Sequence, residues 1–376
     1  MLLPALEALI GLVALTIGAE LLVRGASRIA ERTGIPPLVV GLTVVALGTS
    51  APEIAVSVDA AVGGRGDVAL GNVVGSNIFN ILVILGLSAV AAPLAVRSQL
   101  VRLDVPVMVG VSALPLVLGF DRLISFGDGL VLLSLLALYL GLLVRVARKG
   151  LPQPVAAYPF HAPPGEHRTG TEARAKATGP AWRDVLTALA GLLLLVLGAD
   201  RFVGGATDIA RAAGISELVI GLTLVAAGTS MPELATSVLA TLRGERDLAV
   251  GNVVGSNVFN VLAVLGAGAA ASGGMEVAAG VVMFDFPVML AVGVACLPVF
   301  LTGSSITRRE GAVFVFYYLL YSIYLGLHTA DHPYQEEFGV AVLGVVLPLT
   351  IVVAAALWTR GAERRRNGSR PPRGAT

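Results

Sequence analysis

Residues 41–60 read GLTVVALGTSAPEIAVSVDA, and residues 221–240 read GLTLVAAGTSMPELATSVLA. A second pair of stretches, GNVVGSNIFNILVILG at 71–86 and GNVVGSNVFNVLAVLG at 251–266, recurs at the same spacing of 180 residues. Over 41–86 against 221–266, 29 of 46 positions are identical without a gap. This degree of identity exceeds what shared apolar bias produces, so it indicates an internal duplication.

The composition is that of a polytopic membrane protein. The 376 residues are 56% hydrophobic and only 14% charged, with a mean hydropathy of +0.84, whereas soluble domains carry about 25% charged residues. Segments of about 20 apolar residues can cross ~30 Å of hydrocarbon as helices. They predict eleven spans, at 4–28, 36–62, 68–92, 100–119, 127–147, 182–206, 216–242, 247–272, 278–300, 309–327 and 337–358.

The basic residues predict the orientation of these spans in a cell (inner) membrane. If the N-terminus is outside, 22 of the 26 Lys and Arg fall on the cytoplasmic side, which leaves Arg65, Arg122, Arg201 and Arg211 outside. The positive-inside rule therefore predicts an external N-terminus and a cytoplasmic C-terminus, and it favours eleven spans over ten. The net charge of +1 gives no indication of a nucleic-acid partner, and the lipid bilayer is the expected surrounding.

The chain divides into two halves around one polar linker. Residues 148–181 are rich in Pro, Gly, Ala and charge, which predicts a cytoplasmic loop. The halves, 1–147 and 182–327, hold five spans each, and an odd number predicts that the second copy enters the membrane from the opposite side. Residues 328–376 then supply an extra helix and a basic tail. The predicted fold is all-α, with two inverted five-helix repeats and an eleventh C-terminal helix, an arrangement typical of secondary transporters with a midplane site.

Each half carries a polar motif inside a span, GTSAPE at 48–53 and GTSMPE at 228–233. Pro52 and Pro232 cannot donate an N–H, so each helix is expected to open and free backbone carbonyls around Gly48 and Gly228. Glu53 and Glu233 are costly inside a membrane unless a cation or protons neutralise them. The motif hydroxyls are those of Thr49, Ser50, Thr229 and Ser230. Together these oxygens suit Ca²⁺, which prefers six to eight oxygen ligands.

The GNVVGSN motifs add further oxygens from the neighbouring span. Ser76 and Asn80 are four residues apart, as are Ser256 and Asn260, so each pair shares a helix face. These side chains could complete the oxygen shell. The alternative is that small polar residues join helices, which is the interpretation we favour for the motif glycines and for the asparagines at 77 and 257.

The paired motifs resemble the two alpha-repeats of the sodium/calcium exchanger family, within the calcium/cation antiporter superfamily, of bacterial or archaeal type. The resemblance implies exchange of Na⁺ for Ca²⁺ and no cofactor other than the transported ions. It implies a site made of the backbone of Ala46 and Ala226 with Thr49, Ser50, Glu53, Ser76, Asn80, Thr229, Ser230, Glu233, Ser256 and Asn260. Some family members have an aspartate at the position of Asn260, and because that residue is associated with K⁺ co-transport, the resemblance implies K⁺ independence here. The eleventh span lies outside the ten-helix family core.

Several alternatives remain at this point. H⁺/Ca²⁺ exchange and K⁺-dependent exchange stay open, because glutamates bind protons as well as metal ions. A passive cation channel is a rival of another class, although channels usually build filters from several subunits, whereas this chain is expected to be able to work as a monomer. An enzyme is disfavoured, because no predicted span contains a histidine.

Five other acidic positions also carry expectations. Glu20 can pair with Arg24 one helical turn on. Asp67 and Asp247 precede the third and eighth spans, where we expect helix N-capping. We expect the same of Asp104 and of its counterpart at 285, each two residues before a proline.

Overall fold

The described part of the chain is a bundle of apolar helices with four very short strands at its ends. The structure, a computed structural model, describes residues 2–96, 99–149, 180–214, 226–302 and 305–329, together with 334, 335 and 339. The helices of the first half are α1 (Leu2–Thr33), α2 (Pro37–Thr49), α3 (Ala51–Val62), α4 (Gly66–Ala91), α5 (Leu100–Leu118) and α6 (Phe126–Lys149). Those of the second half are α7 (Ala181–Ala212), α8 (Ala226–Gly228), α9 (Met231–Leu242), α10 (Arg246–Ser272), α11 (Val281–Asp285 continuing into Phe286–Thr302) and α12 (Arg308–Thr329).

Eight helices in these described ranges are long and apolar enough to cross a membrane, or nine if the bent pair α2 and α3 counts as one span. The polytopic all-helical prediction is therefore confirmed. Only the second part of the predicted seventh span is described, as α8 and α9. The predicted eleventh span at 337–358 and nearly all of the 148–181 linker lie outside the described residues, so both stay predictions.

The second span is broken where its sequence becomes polar. The axes of α2 and α3 differ by 45°. Ser50, between them, is not in a helical conformation, with φ −82° and ψ 7°. Ser230, at the same point of the other half, has φ −87° and ψ 7°. The predicted opening is thus present, but it lies at Ser50 and Ser230, two residues after the glycines where we expected it. The reason is that Pro52 and Pro232 occupy the first turn of the following helix.

The first helices of the two halves, α1 and α7, pack along a seam of glycines spaced seven residues apart. These are Gly11, Gly18 and Gly25 on α1, and Gly191, Gly198 and Gly205 on α7. Gly11 lies against Phe202, whereas Gly25 lies against Ala188, so the two helices are antiparallel. Because α1 and α7 are equivalent in the repeat, this packing is what two inverted halves require.

The interior is formed by α4 and α10, which are almost wholly buried, whereas α1, α6, α7 and α12 expose much of their apolar surface. Gly251 and Gly255 of α10 allow α2 to approach closely, since an added Cβ would lie 2.6 Å from the Leu38 carbonyl and 2.8 Å from the Ala46 Cβ. The motif glycines of α10 therefore join helices, as expected. On α4, a Cβ added at Gly71 or Gly75 would meet no described residue within 4 Å, so the same role for these two glycines stays a prediction.

Two antiparallel strand pairs, absent from the sequence prediction, link the halves at their ends. Strand β1 (Leu94–Ala95) pairs with β4 (Ser305–Ile306), with Leu94 opposite Ile306. Strand β2 (Leu123–Ser125) pairs with β3 (Gly274–Glu276), with Ile124 opposite Met275. Two- and three-residue strands carry too little periodicity to be detected in a sequence.

The acidic residues outside the motifs follow the predictions only in part. Glu20 pairs with Arg24 as expected, and also with Arg243 beyond the end of α9. The capping prediction is wrong for Asp67 and Asp247, because each is the second residue inside its helix and the preceding cap positions make no side-chain cap bond. It is also wrong for Asp104, which lies inside α5 and is completely buried.

We expect the glycine seam to tolerate no side chain. Gly18→Ala would place a Cβ 2.8 Å from the Gly191 carbonyl oxygen, and such overpacking costs about 1–3 kcal/mol. The variant should therefore melt several degrees lower than the parent in a detergent thermal-stability assay. The control is Gly141→Ala on α6, an exposed glycine with no described residue within 4 Å. Equal melting temperatures for the two variants would contradict the close seam.

Candidate functional site

The two helix breaks face each other at the centre of the bundle. Ser50 donates a hydrogen bond from Oγ to Oε1 of Glu233, at 3.1 Å, and Ser230 donates from Oγ to Oε1 of Glu53, at 3.2 Å. Each bond therefore joins a hydroxyl of one half to a carboxylate of the other. Both glutamates are only 1% exposed, and both serines are completely buried. The two duplicated motifs therefore meet in one buried, hydrogen-bonded cluster.

The two threonines of the motifs are held by a pair of asparagines that the sequence analysis did not select. Thr49 donates to the Asn252 amide oxygen at 3.2 Å, and Thr229 donates to that of Asn72 at 3.1 Å. Each asparagine belongs to the half opposite its threonine. Both asparagines stand second in a GNVVGSN motif. Their duplication at the 180-residue spacing is the sequence signal that could have identified them.

Each of these asparagines also donates a hydrogen bond to a serine of its own half. The Asn252 amide nitrogen donates to Ser237 Oγ, and that of Asn72 donates to Ser57 Oγ, both at 2.9 Å. Asn252 thus connects α10 to both broken spans, as Asn72 does from α4. Because a hydroxyl has a single proton, a threonine that donates it to asparagine keeps its lone pairs for another partner, such as a cation.

The predicted ligands on α4 and α10 lie in the same buried region. Ser76, Asn80, Ser256 and Asn260 are each at most 1% exposed. Asn80 and Asn260 each begin a π-helical stretch, Asn80–Leu85 and Asn260–Leu265, and such distortions often accompany functional sites. The Asn260 amide nitrogen donates to the Asn77 amide oxygen at 3.1 Å.

Six of the predicted ligand oxygens have no hydrogen-bond partner in the described part of the chain. They are Oε2 of Glu53 and Glu233, Oγ of Ser76 and Ser256, and Oδ1 of Asn80 and Asn260. Each pair is related by the 180-residue spacing. Buried polar atoms are rarely left unpaired, so these oxygens, which occur in repeat-related pairs, are available to a further partner such as a cation.

The predicted backbone ligands at 46 and 226 differ from these six oxygens, because the Ala46 oxygen already accepts a hydrogen bond. The Ala46 carbonyl accepts the Ser50 N–H at 3.0 Å and also lies 3.4 Å from the Thr49 hydroxyl, which can donate to it. Ala226 begins α8, at the matching place of the other half. Asn257 donates to the Val253 carbonyl of its own helix at 2.8 Å. This bond does not join two helices, so the packing role that we favoured for Asn257 stays a prediction.

The electrostatics of the site also favour a cation. Neither Glu53 nor Glu233 has a basic partner among the ion pairs of the described residues. Two buried carboxylates without a counter-charge are strongly unfavourable. The described residues contain no cluster of three or more His, Cys, Asp or Glu able to hold a metal ion, so any metal here would be held by two carboxylates and neutral oxygens.

Proteins of a known family are similar to this chain in both sequence and fold. The family described as "Sodium/calcium exchanger protein" matches residues 5–145 and 184–327. The sodium/calcium exchanger MaX1 of Methanosarcina acetivorans is 32% identical over 342 residues, which cover 84% of this chain and 97% of that protein. The inner membrane protein YrbG of Escherichia coli is 38% identical over 296 residues, which cover 78% and 87%.

A solved structure agrees with these sequence matches. The sodium-calcium exchanger NCX_Mj superimposes with a TM-score of 0.70 at 31% identity, over 85% of this chain and 97% of that one. The two matched segments of the family correspond to the two halves found from the internal repeat. This chain therefore belongs to the sodium/calcium exchanger protein family.

Proposed function

We propose that this protein exchanges Na⁺ for Ca²⁺ across a membrane, by alternating access to one site between its two halves. The six buried, unpartnered oxygens supplied equally by the two halves carry this proposal. Ionised Glu53 and Glu233 bring two negative charges, which one Ca²⁺ or two Na⁺ neutralise. Hard oxygen ligands are those that Ca²⁺ prefers, and MaX1 and NCX_Mj are both named sodium/calcium exchangers.

The proposed ligand set is the one predicted from the sequence. It comprises the backbone of Ala46 and Ala226 with Thr49, Ser50, Glu53, Ser76, Asn80, Thr229, Ser230, Glu233, Ser256 and Asn260. To this set we add Asn72 and Asn252 as residues that position the threonines. Their hydrogen bonds to Thr229 and Thr49 support that role.

We also propose how the chain is organised. Residues 1–147 and 182–327 form the two exchanger repeats, 148–181 the cytoplasmic linker, and 328–376 an extra helix with a basic tail. The protein lies in the cell (inner) membrane as a monomer, with its N-terminus outside, and it transports ions without catalysing a reaction.

In a Cys296→Ala background, an impermeant thiol reagent applied outside should label Asp121→Cys but not Arg309→Cys, both of which replace exposed residues. The reverse pattern would invert the proposed orientation.

A passive cation channel fits the site less well. The glutamates, Ser50 and Ser230 are at most 1% exposed, whereas a conducting pore needs a continuous path. Proton coupling has a specific observation in its favour, since two adjacent buried carboxylates can carry protons instead of metal. The gradient experiment below therefore includes H⁺ and K⁺ as driving ions.

We expect Ca²⁺ uptake into proteoliposomes to follow an imposed Na⁺ gradient. Glu53→Gln and Glu233→Gln should each reduce the uptake rate by at least ten-fold, because each removes one of the two charges while keeping the side-chain volume. Glu276→Gln, at an exposed carboxylate on β3, is the matched control and should leave the rate unchanged.

Three results would contradict this account. The shared site is wrong if either glutamate variant transports Ca²⁺ at the parental rate. Na⁺ coupling is wrong if uptake follows an H⁺ gradient in the absence of Na⁺, and the expected K⁺ independence is wrong if uptake requires K⁺. Uptake that continues down the Ca²⁺ gradient with no counter-ion at all would indicate a channel.

Asn252→Ala should weaken Ca²⁺ binding without preventing folding. The substitution removes the hydrogen bonds that Asn252 makes to the hydroxyls of Thr49 and Ser237, and the loss of such buried bonds costs about 1–3 kcal/mol. We therefore expect the half-saturating Ca²⁺ concentration to rise roughly ten-fold, with a similar result for Asn72→Ala. Ser112→Ala is the control, since this buried hydroxyl bonds only to Met108 of its own helix among the described contacts. An Asn252→Ala variant with parental Ca²⁺ dependence would remove Asn252 from the site.

A further inference from the structure

A second pair of acidic residues is duplicated outside the central site. Asp104 ends the π-helical stretch Leu100–Asp104 of α5, and Asp285 ends the π-helical stretch Val281–Asp285 of α11. Each lies within electrostatic range of a tyrosine on the last helix of its half, Tyr139 for Asp104 and Tyr321 for Asp285. The aspartates are 181 residues apart and the tyrosines 182. The arrangement therefore belongs to the repeat, as the central site does.

The copy in the first half is fully enclosed. Asp104 has no exposed surface, and neither of its carboxylate oxygens has a hydrogen-bond partner among the described residues. The Tyr139 hydroxyl is likewise without a partner in the described part of the chain, and that side chain is 4% exposed. Two polar groups on different helices, each without a partner among the described residues, thus lie within electrostatic range of each other. Leu100 and Val105, next to Asp104 on its helix, belong to the main apolar core.

The π-helical turn adds a third polar group. Gln99 immediately precedes the turn that Asp104 ends, and the wider π turn brings residues five apart onto the same side of the helix. The Gln99 amide lies beside the Asp104 carboxylate, yet both its oxygen and its nitrogen lack a well-formed hydrogen bond within the described residues. The residue equivalent to Gln99 in the other half is Gly280, so this group is particular to the first half.

An ionised carboxylate in such a position requires a positive partner. We propose that Asp104, Gln99 and Tyr139 form a second cation site, separate from the central one, that binds a small monovalent cation such as Na⁺. The carboxylate supplies the single negative charge that one such ion neutralises, whereas Ca²⁺ would leave an excess positive charge in an apolar interior. The Gln99 carbonyl and the Tyr139 hydroxyl supply neutral oxygens.

Na⁺-dependent stability tests this site independently of transport. In a Glu53→Gln/Glu233→Gln background, replacing choline with Na⁺ at constant ionic strength should raise the melting temperature by several degrees, because a ligand that binds only the folded state stabilises it. Adding Asp104→Asn should abolish that rise. Adding Asp285→Asn instead should leave it unchanged, which makes it the matched control.

Two gentler variants keep the test decisive if Asp104→Asn folds poorly. Tyr139→Phe and Gln99→Leu retain the carboxylate and should each raise the Na⁺ concentration needed for half of the stabilisation by several fold. The proposal is overturned if the Na⁺ response is the same with and without Asp104→Asn, or if both gentler variants match the parent. Asp104 would then carry a proton. Neither result bears on Ca²⁺ exchange at the central site, because the background already lacks both of its carboxylates.

Discussion

The structure depends on the cost of placing two carboxylates in the middle of a membrane protein. Glu53 and Glu233 have no basic partner among the described residues, and each receives one hydrogen bond from a serine of the opposite half. These two reciprocal bonds hold the broken spans against each other, yet they satisfy only one oxygen of each carboxylate. The remaining charge needs a cation or protons, so the interaction that joins the halves also leaves carboxylate oxygens open for the proposed ion site.

The surrounding helices follow from this demand. The proline after each serine stops the regular hydrogen-bond ladder and lets the carboxylate begin a new helix turn. Helices α4 and α10 enclose the breaks, and their asparagines at 72 and 252 tie each threonine across to the other half. Glycines let these elements approach closely, on α10 next to α2 and along the seam of α1 and α7.

Much of this could be predicted from the sequence, because its strongest signals are physical constraints on membrane proteins. Hydrophobic length predicts the spans, the 180-residue repeat predicts the two halves, and the cost of an acid in hydrocarbon selects the two glutamates. The sequence did not reveal Asn72 and Asn252 as part of the network, because a polar residue on a membrane helix often serves only to pack helices together. Nor did it reveal the buried state of Asp104, because a proline two residues later resembles a helix start, whereas the helix in fact begins earlier with a π-helical turn.

The central claim is that both halves build a single site, and the stoichiometry of Ca²⁺ binding tests it most directly. Equilibrium binding of radioactive Ca²⁺ to the purified parent in Na⁺-free buffer should saturate at one ion per chain. Either Glu53→Gln or Glu233→Gln alone should remove the whole of that binding at the parental saturating concentration. Two ions per chain in the parent, with one retained by each single variant, would mean that each half holds its own site and would contradict the account.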